Sequence, residues 1–183
     1  IATRAIVYHD AETIEARSIP VAERVKQFSL LGGIPELLTF EQFSPMPNDI
    51  YILGPTTPTR KRLANAVKSN WGLTFTKLIH RTAYVSHITD LAEGVFVGAN
   101  SVIAPGCKLE EHVFINRGVT IGHDNRIGAF SRVQPGAAIG GLSDIGTGVT
   151  IGLGVRMIER LQVGDGAVVA GGAVVLADVE AHT

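Results

Sequence analysis

His123 and Asp124 stand side by side in GVTIGHDNRIGAF (118–130), a run otherwise rich in glycine and isoleucine. An imidazole takes up a proton near neutral pH, and a carboxylate at hydrogen-bond distance can orient and polarise it. Reactions that remove a proton from a nucleophile and build negative charge on a carbonyl oxygen need such a base and a donor for the developing oxyanion. If the chain coils with eighteen residues per turn, as argued below, the residue directly above His123 is Gly141. A glycine N–H with no side chain in its path suits the donor role. Asp124 is the harder member to place, because neighbours on a regular strand point to opposite sides. It reaches His123 only if the chain bends there.

The coil follows from a period. Every sixth residue from Ile79 to Val175 is a large aliphatic, without a break in phase. Two places before each stands a residue that is mostly small or apolar, such as Ala83, Ser101, Cys107, Val113 or Ala137. The residue after each is often glycine, as at Gly122, Gly128, Gly140 and Gly152. Neither a helix nor a hairpin meander has a period of six. A triangular parallel β-helix does, with one inward aliphatic per face, a compact residue at each corner and three hexads per coil. Residues 79–175 are therefore predicted to stack between five and six coils. The usual preference of parallel crossovers would make the coil right-handed.

The residues before the prism read as a small α/β unit. RAIVY (4–8), DIYILG (49–54) and LTFTKLI (73–79) look like strands, and TRKRLANAVKS (59–69) carries Leu63, Ala64 and Val67 at helical spacing. The expected domains are residues 1–78, α/β, and residues 79–183, the β-helix. Asp10 follows the first strand, while Gly54 and Thr56 follow the second; each position serves equally as a plain turn or as a ligand contact at a strand's carboxyl end.

Composition narrows the partners. Sixteen basic and seventeen acidic residues leave a net charge of −1, which gives no general reason to bind nucleic acid or an anionic membrane. A single cysteine, Cys107, rules out an internal disulfide framework, and no apolar run is long enough to span a bilayer. A cytoplasmic protein that meets a small molecule or further copies of itself is the expectation.

The segment INRGVTIGHDNRIGAFSRVQPGAAIGGLSDIGTGVTIGLGV resembles the hexapeptide-repeat sugar O-/N-acyltransferases of the sialic-acid O-acetyltransferase and bacillosamine N-acetyltransferase type. LIHRTAYVS and VVAGGAVVLADV extend the likeness over most of the chain. The resemblance implies a left-handed β-helix after a small nucleotide-sugar-binding α/β domain, a homotrimer with active sites between neighbouring prisms, and acetyl-CoA as co-substrate without a metal. The implied reaction is acetylation of a nucleotide-linked sugar, on nitrogen rather than oxygen, for surface-glycan or glycoconjugate precursors. It makes His123 the base, Asp124 its partner, Gly141 the oxyanion donor and Asn116 a sugar-side contact. Arg132 stands where relatives carry a second histidine near the acetyl donor and could pair with a coenzyme A phosphate; Gly171 and Gly172 fall in the coil expected to meet coenzyme A. The family's opening strand with its Gly-rich loop and its closing GvPAk have no counterpart in the sequence.

Other residues have plainer readings. His80 and His87 suit packing or turns, His9 a strand end, and His112, beside Glu110 and Glu111, a solvated corner. Cys107 suits a buried small slot, and Trp71 and Phe75 a seam between the two domains. Two competing functions were weighed. A γ-type carbonic anhydrase shares the prism but needs three histidines on one zinc, and His112 and His123 are eleven apart without a closer pair. A non-catalytic solenoid for assembly would bind no acetyl-CoA.

Overall fold

The computed structural model describes residues 4–8, 20–27 and 33–183. The chain divides into two compact units, residues 1–49 and 50–183. In the first, strand β1 (Ala5–Tyr8) pairs in parallel with β2 (Glu36–Thr39), Ala5 opposite Glu36, and helix α1 (Val21–Lys26) lies between them in sequence. Arg4 Nε donates to Asp49 Oδ2 at 3.2 Å, and this guanidinium holds the Asp49 carboxyl below the usual carboxylate range. Strand β1 falls where RAIVY was read. Helix α1 and strand β2 were not foreseen.

The second unit is built on the prism. Seventeen two-residue strands, β3 (Leu78–Ile79) to β19 (Val174–Val175), recur every six residues. They stack into three parallel sheets in a register of eighteen, as in Ile103 opposite Ile121 and Ile121 opposite Ile139. The first face holds β3, β6, β9, β12, β15 and β18; the second holds β4, β7, β10, β13, β16 and β19; the third holds β5, β8, β11, β14 and β17. The expected solenoid is present. The second residue of each strand points inward, and from Val97 to Ile151 these are buried without exception. After Val163 the step shortens, for Val163 bridges to Val179.

Most corners are four-residue turns whose third residue takes the left-handed conformation, the turns at Thr82 and Ile88 being exceptions. Glycines fill many of these positions, but Asp124 (φ 55°), Phe130 (φ 60°), Leu142 (φ 62°) and Arg160 (φ 65°) hold it too. The corners are therefore less restricted to compact residues than expected, at a cost of about 1–2 kcal/mol for each non-glycine residue. The side chain at such a corner projects outward, so size is no obstacle there.

Residues 50–77 cover one corner of the prism. DIYILG is not a strand; Tyr51 O accepts one bond, from Thr76 N at 2.8 Å, and Tyr51 and Leu53 pack with Ala64, Phe75 and Phe130. A 3-10 turn (Pro58–Arg60) leads into α2 (Lys61–Trp71), which ends where Gly72 adopts φ 63° and donates to Lys68 O. Burying Phe75 and Phe130 contributes on the order of 2 kcal/mol each. Trp71 is half-buried at the end of α2.

This cover corrects the reading of His112 as a solvated corner. His112 is 2% exposed, its ring stacked on Phe130 at 4.9 Å and set edge-on to Phe75 at 5.0 Å. Burial, then the nearby Lys68 charge, push its pKa down to about 4 against an opposing pull from Glu93, with Arg60 adding the least. Arg60, also buried, donates to the carbonyls of Thr56, Thr57, His112 and Ser131, which ties the start of α2 to the prism. That burial lowers the Arg60 pKa to about 10.

Candidate active site

The turn 122–125 joins the second face to the third, between β10 (Thr120–Ile121) and β11 (Arg126–Ile127). His123 is its second residue and Asp124 its left-handed third. That conformation is the bend the sequence reading required. It brings Asp124 Oδ2 to 2.8 Å from His123 Nδ1. A proton on Nδ1 donated to the carboxylate would leave the Nε2 lone pair facing outward. The His123 side chain is 60% exposed, so a substrate can reach it.

One coil above, the turn 140–143 carries Gly141. Leu142 N donates to His123 O at 2.8 Å, which locks the two turns together. A Cβ built on Gly141 would stand 3.0 Å from His123 Nε2, so a side chain at that position would crowd the base. Among the described residues no hydrogen bond is made by the Gly141 N–H, which leaves it available to an incoming group. One coil below, a Cβ on Gly106 would fall 2.1 Å from Asp124 Oδ1. Glycine at 106, where φ is 74°, thus leaves the space the carboxylate occupies. The sequence reading missed this residue, though its distance of eighteen from Asp124 is the available signal.

Cys107 and Asn125 lie beneath these turns. Cys107 is buried as expected, and its Sγ donates to Gly122 O at 3.0 Å; burial pushes its thiol pKa up. Asn125, 1% exposed, fills an inward slot that mostly holds small apolar or hydroxyl residues.

The remaining candidates lie elsewhere. Asn116 opens the turn between the first and second faces; its Nδ2 donates to Gln134 Oε1 at 3.3 Å and its Oδ1 accepts from Arg117 N at 2.9 Å. Gly171 and Gly172 occupy a higher turn on that same corner. Arg132 points outward from the first face, where its Nε donates to Thr150 Oγ1 at 3.1 Å. Gly54 is exposed, and the Thr56 carbonyl is taken by Arg60 at 3.0 Å; both lie in the segment 50–77 that covers the corner at His112. Asp10 and His9 lie outside the described residues. One prism therefore brings His123, Asp124 and Gly141 together but leaves Asn116, Arg132, Gly171 and Gly172 on other edges. His112 and His123, weighed as joint zinc ligands, stand on different corners.

Comparison with known proteins bears on the fold. Residues 89–123 match the model for the bacterial transferase hexapeptide, six repeats. No curated protein sequence matches the chain significantly. Among solved structures, the acetyltransferase domain of PglB from Neisseria gonorrhoeae is 28% identical, with a TM-score of 0.75 over 80% of this chain and 73% of that one. PerB from Caulobacter crescentus, solved with CoA and GDP-perosamine, is 21% identical, covers 99% of this chain and 92% of its own, and scores 0.73. WeeI from Acinetobacter baumannii is 18% identical, covers 97% and 80%, and scores 0.80. The coil is the left-handed one that the resemblance implied, not the right-handed one that crossover statistics favour. Residues 89–123 carry the hexapeptide repeat, and the chain has the left-handed β-helix fold of the acetyltransferase structures to which it is similar.

Proposed function

We propose that the chain transfers an acetyl group from acetyl-CoA to the amino group of a nucleotide-linked sugar. One observation carries the reading: the unbonded Gly141 N–H lies one coil above His123, whose Nδ1 is held by Asp124. The amine nitrogen attacks the thioester carbonyl carbon, and the oxyanion that forms accepts from Gly141 N–H. His123 Nε2 takes the proton the nitrogen sheds. The C–N bond then stands, the C–S bond breaks, and the departing sulfur leaves as the free thiol of coenzyme A once it gains that proton. Asp124 steadies the imidazolium in between.

The relatives support the donor and the acceptor class. The PglB domain has been solved with acetyl coenzyme A, and the Caulobacter protein, a perosamine N-acetyltransferase, with CoA and GDP-perosamine. Nitrogen is preferred to oxygen as acceptor on the same ground. Residues 1–78 are assigned to the nucleotide sugar, with Asp10, Gly54 and Thr56 as its contacts, and residues 79–183 to the transfer.

A homotrimer completes the site in this reading. Asn116, Arg132, Gly171 and Gly172 lie on edges that one prism keeps apart from His123, so a neighbouring prism must supply the sugar-side and coenzyme A contacts. Uncovered apolar residues on the first and second faces, Val102, Val168 and Val174 among them, offer surface for that packing. Cytoplasmic residence fits a substrate of this kind, and no helix among the described residues is long and apolar enough to cross a membrane.

The test is a screen of UDP-, GDP- and TDP-linked 4-amino sugars with acetyl-CoA, scored by free thiol. At least one acceptor should release thiol with wild-type protein, and His123→Ala should abolish that release. Persistence near the wild-type rate in His123→Ala would sink the assignment.

A further inference from the structure

We infer that Asn125 is a positioning residue for acyl transfer, aiming the Gly141 N–H outward and holding its turn in register with the turn of His123. The inference rests on the proposed roles of those two residues. Asn125 is buried and spends its amide on both turns: Nδ2 donates to Gly122 O at 2.8 Å and to Gly140 O at 2.9 Å, while Oδ1 accepts from Ser143 N at 2.9 Å.

These partners are particular. Gly140 and Ser143 open and close the turn that contains Gly141. In eight other turns of the prism the closing N–H bonds the opening carbonyl directly, as Val113 does to Glu110 at 3.2 Å and Ala137 to Gln134 at 3.3 Å; in three more a slot serine takes the closing N–H. The turn at Gly141 makes no such bond; the Asn125 amide satisfies both groups instead.

The consequence lies in the peptide plane. Gly140 C=O and Gly141 N–H belong to one trans peptide, so the two bonds point in opposite directions. Drawing the Gly140 oxygen in toward Asn125 turns the Gly141 hydrogen away from the core. The same holds one coil lower for the Gly122–His123 peptide, through Gly122 O. One buried amide thus sets the donor and the backbone of the base together. Slot residues with a hydroxyl make part of this arrangement: Ser131 Oγ donates to Gly146 O at 2.7 Å and accepts from Val149 N at 2.8 Å. Asn125 adds the bond to its own turn.

The experiment compares Asn125→Val with Asn125→Ser. Valine fills the equivalent slot at Val95, Val113, Val119, Val149 and Val155, so the prism accepts it there. With acetyl-CoA and the amino-sugar acceptor found by the screen, Asn125→Val should lower kcat about ten- to a hundredfold. KM for both substrates should stay within about twofold. Asn125→Ser keeps a donor toward Gly140 O and an acceptor for Ser143 N, and should recover to within about threefold of wild type. The acid limb of the kcat profile should be the same in all three proteins, since the His123 and Asp124 pair is untouched. If Asn125→Val does not fold, Asn125→Ala takes its place with the same expected loss. Unchanged kcat in the valine or alanine variant, or a loss that the serine variant shares in full, would overturn the inference. An active wild type with a dead His123→Ala and a fully active Asn125→Val removes this inference alone; an inactive wild type removes the functional reading beneath it.

Discussion

Two histidines stand at corners of the same prism and meet opposite fates. His123 faces outward with Asp124 on its Nδ1 and open space at Nε2. His112, eleven residues earlier and at the next position of its turn, is pressed between Phe75 and Phe130 under the segment that carries α2. Among the described residues neither of its ring nitrogens has a hydrogen-bond partner. The hexad supplies both with the same scaffold; what covers the corner decides whether the imidazole stays open to a ligand or becomes a packing unit.

The comparison breaks most sharply at the two rings. His123→Ala should cost about a thousandfold in kcat and leave the urea midpoint within error. His112→Phe should do the reverse, sparing kcat and changing only the response to acid. Equal effects on activity from both substitutions would show that the corners are not functionally distinct.

Acid sharpens the same contrast. His112 is neutral in the fold, with a pKa lowered from 6.5 to about 4 chiefly by burial. The unfolded chain binds the extra proton first, so this contribution to stability is complete above about pH 6.5 and is lost as pH falls toward 4. It amounts to about 3 kcal/mol at most. Urea unfolding at pH 7 and pH 4.5 should show a smaller loss in His112→Phe than in wild type. Identical losses would mean that the ring is not buried.

The glycines beneath each corner give the smallest effects. Gly94 and Gly106 both have positive φ, and an added Cβ would stand 2.3 Å from His112 Nδ1 and 2.1 Å from Asp124 Oδ1. His112 has nowhere to go, so Gly94→Ala should cost about 2–4 kcal/mol and leave kcat alone. Asp124 is exposed and can swing away. Gly106→Ala should therefore cost about 1–2 kcal/mol of stability but lower kcat about tenfold by releasing His123. Thermal melts and thiol-release rates on the two variants check both halves.

The prism was legible because its inward residues repeat at one phase, and a period needs no knowledge of distant contacts. The pairing of His123 with Gly141 followed from the same arithmetic. DIYILG failed as a strand because alternating apolar residues also suit an extended segment that packs on a helix and an aromatic corner. His112 failed for the same reason: its neighbours Glu110 and Glu111 describe the local chain, while Phe75 and Arg60 arrive from elsewhere. Asn125 was passed over because a polar residue in a slot of small apolar ones has no periodic signature. Its meaning lies in the carbonyls of the coil above.

The constant step of eighteen residues also bears on how the molecule is made. Each strand of the prism pairs with one a single coil away, so contacts in this part of the chain span a short stretch of sequence although the sheets are parallel. Parallel sheets ordinarily assemble slowly because their partners lie far apart along the chain. Here the loop to be closed is the same short one every time, and each finished coil presents a complete template for the next. Growth can start at any coil and zip toward both ends, with His123 and Gly141 brought together as soon as two adjacent coils have closed.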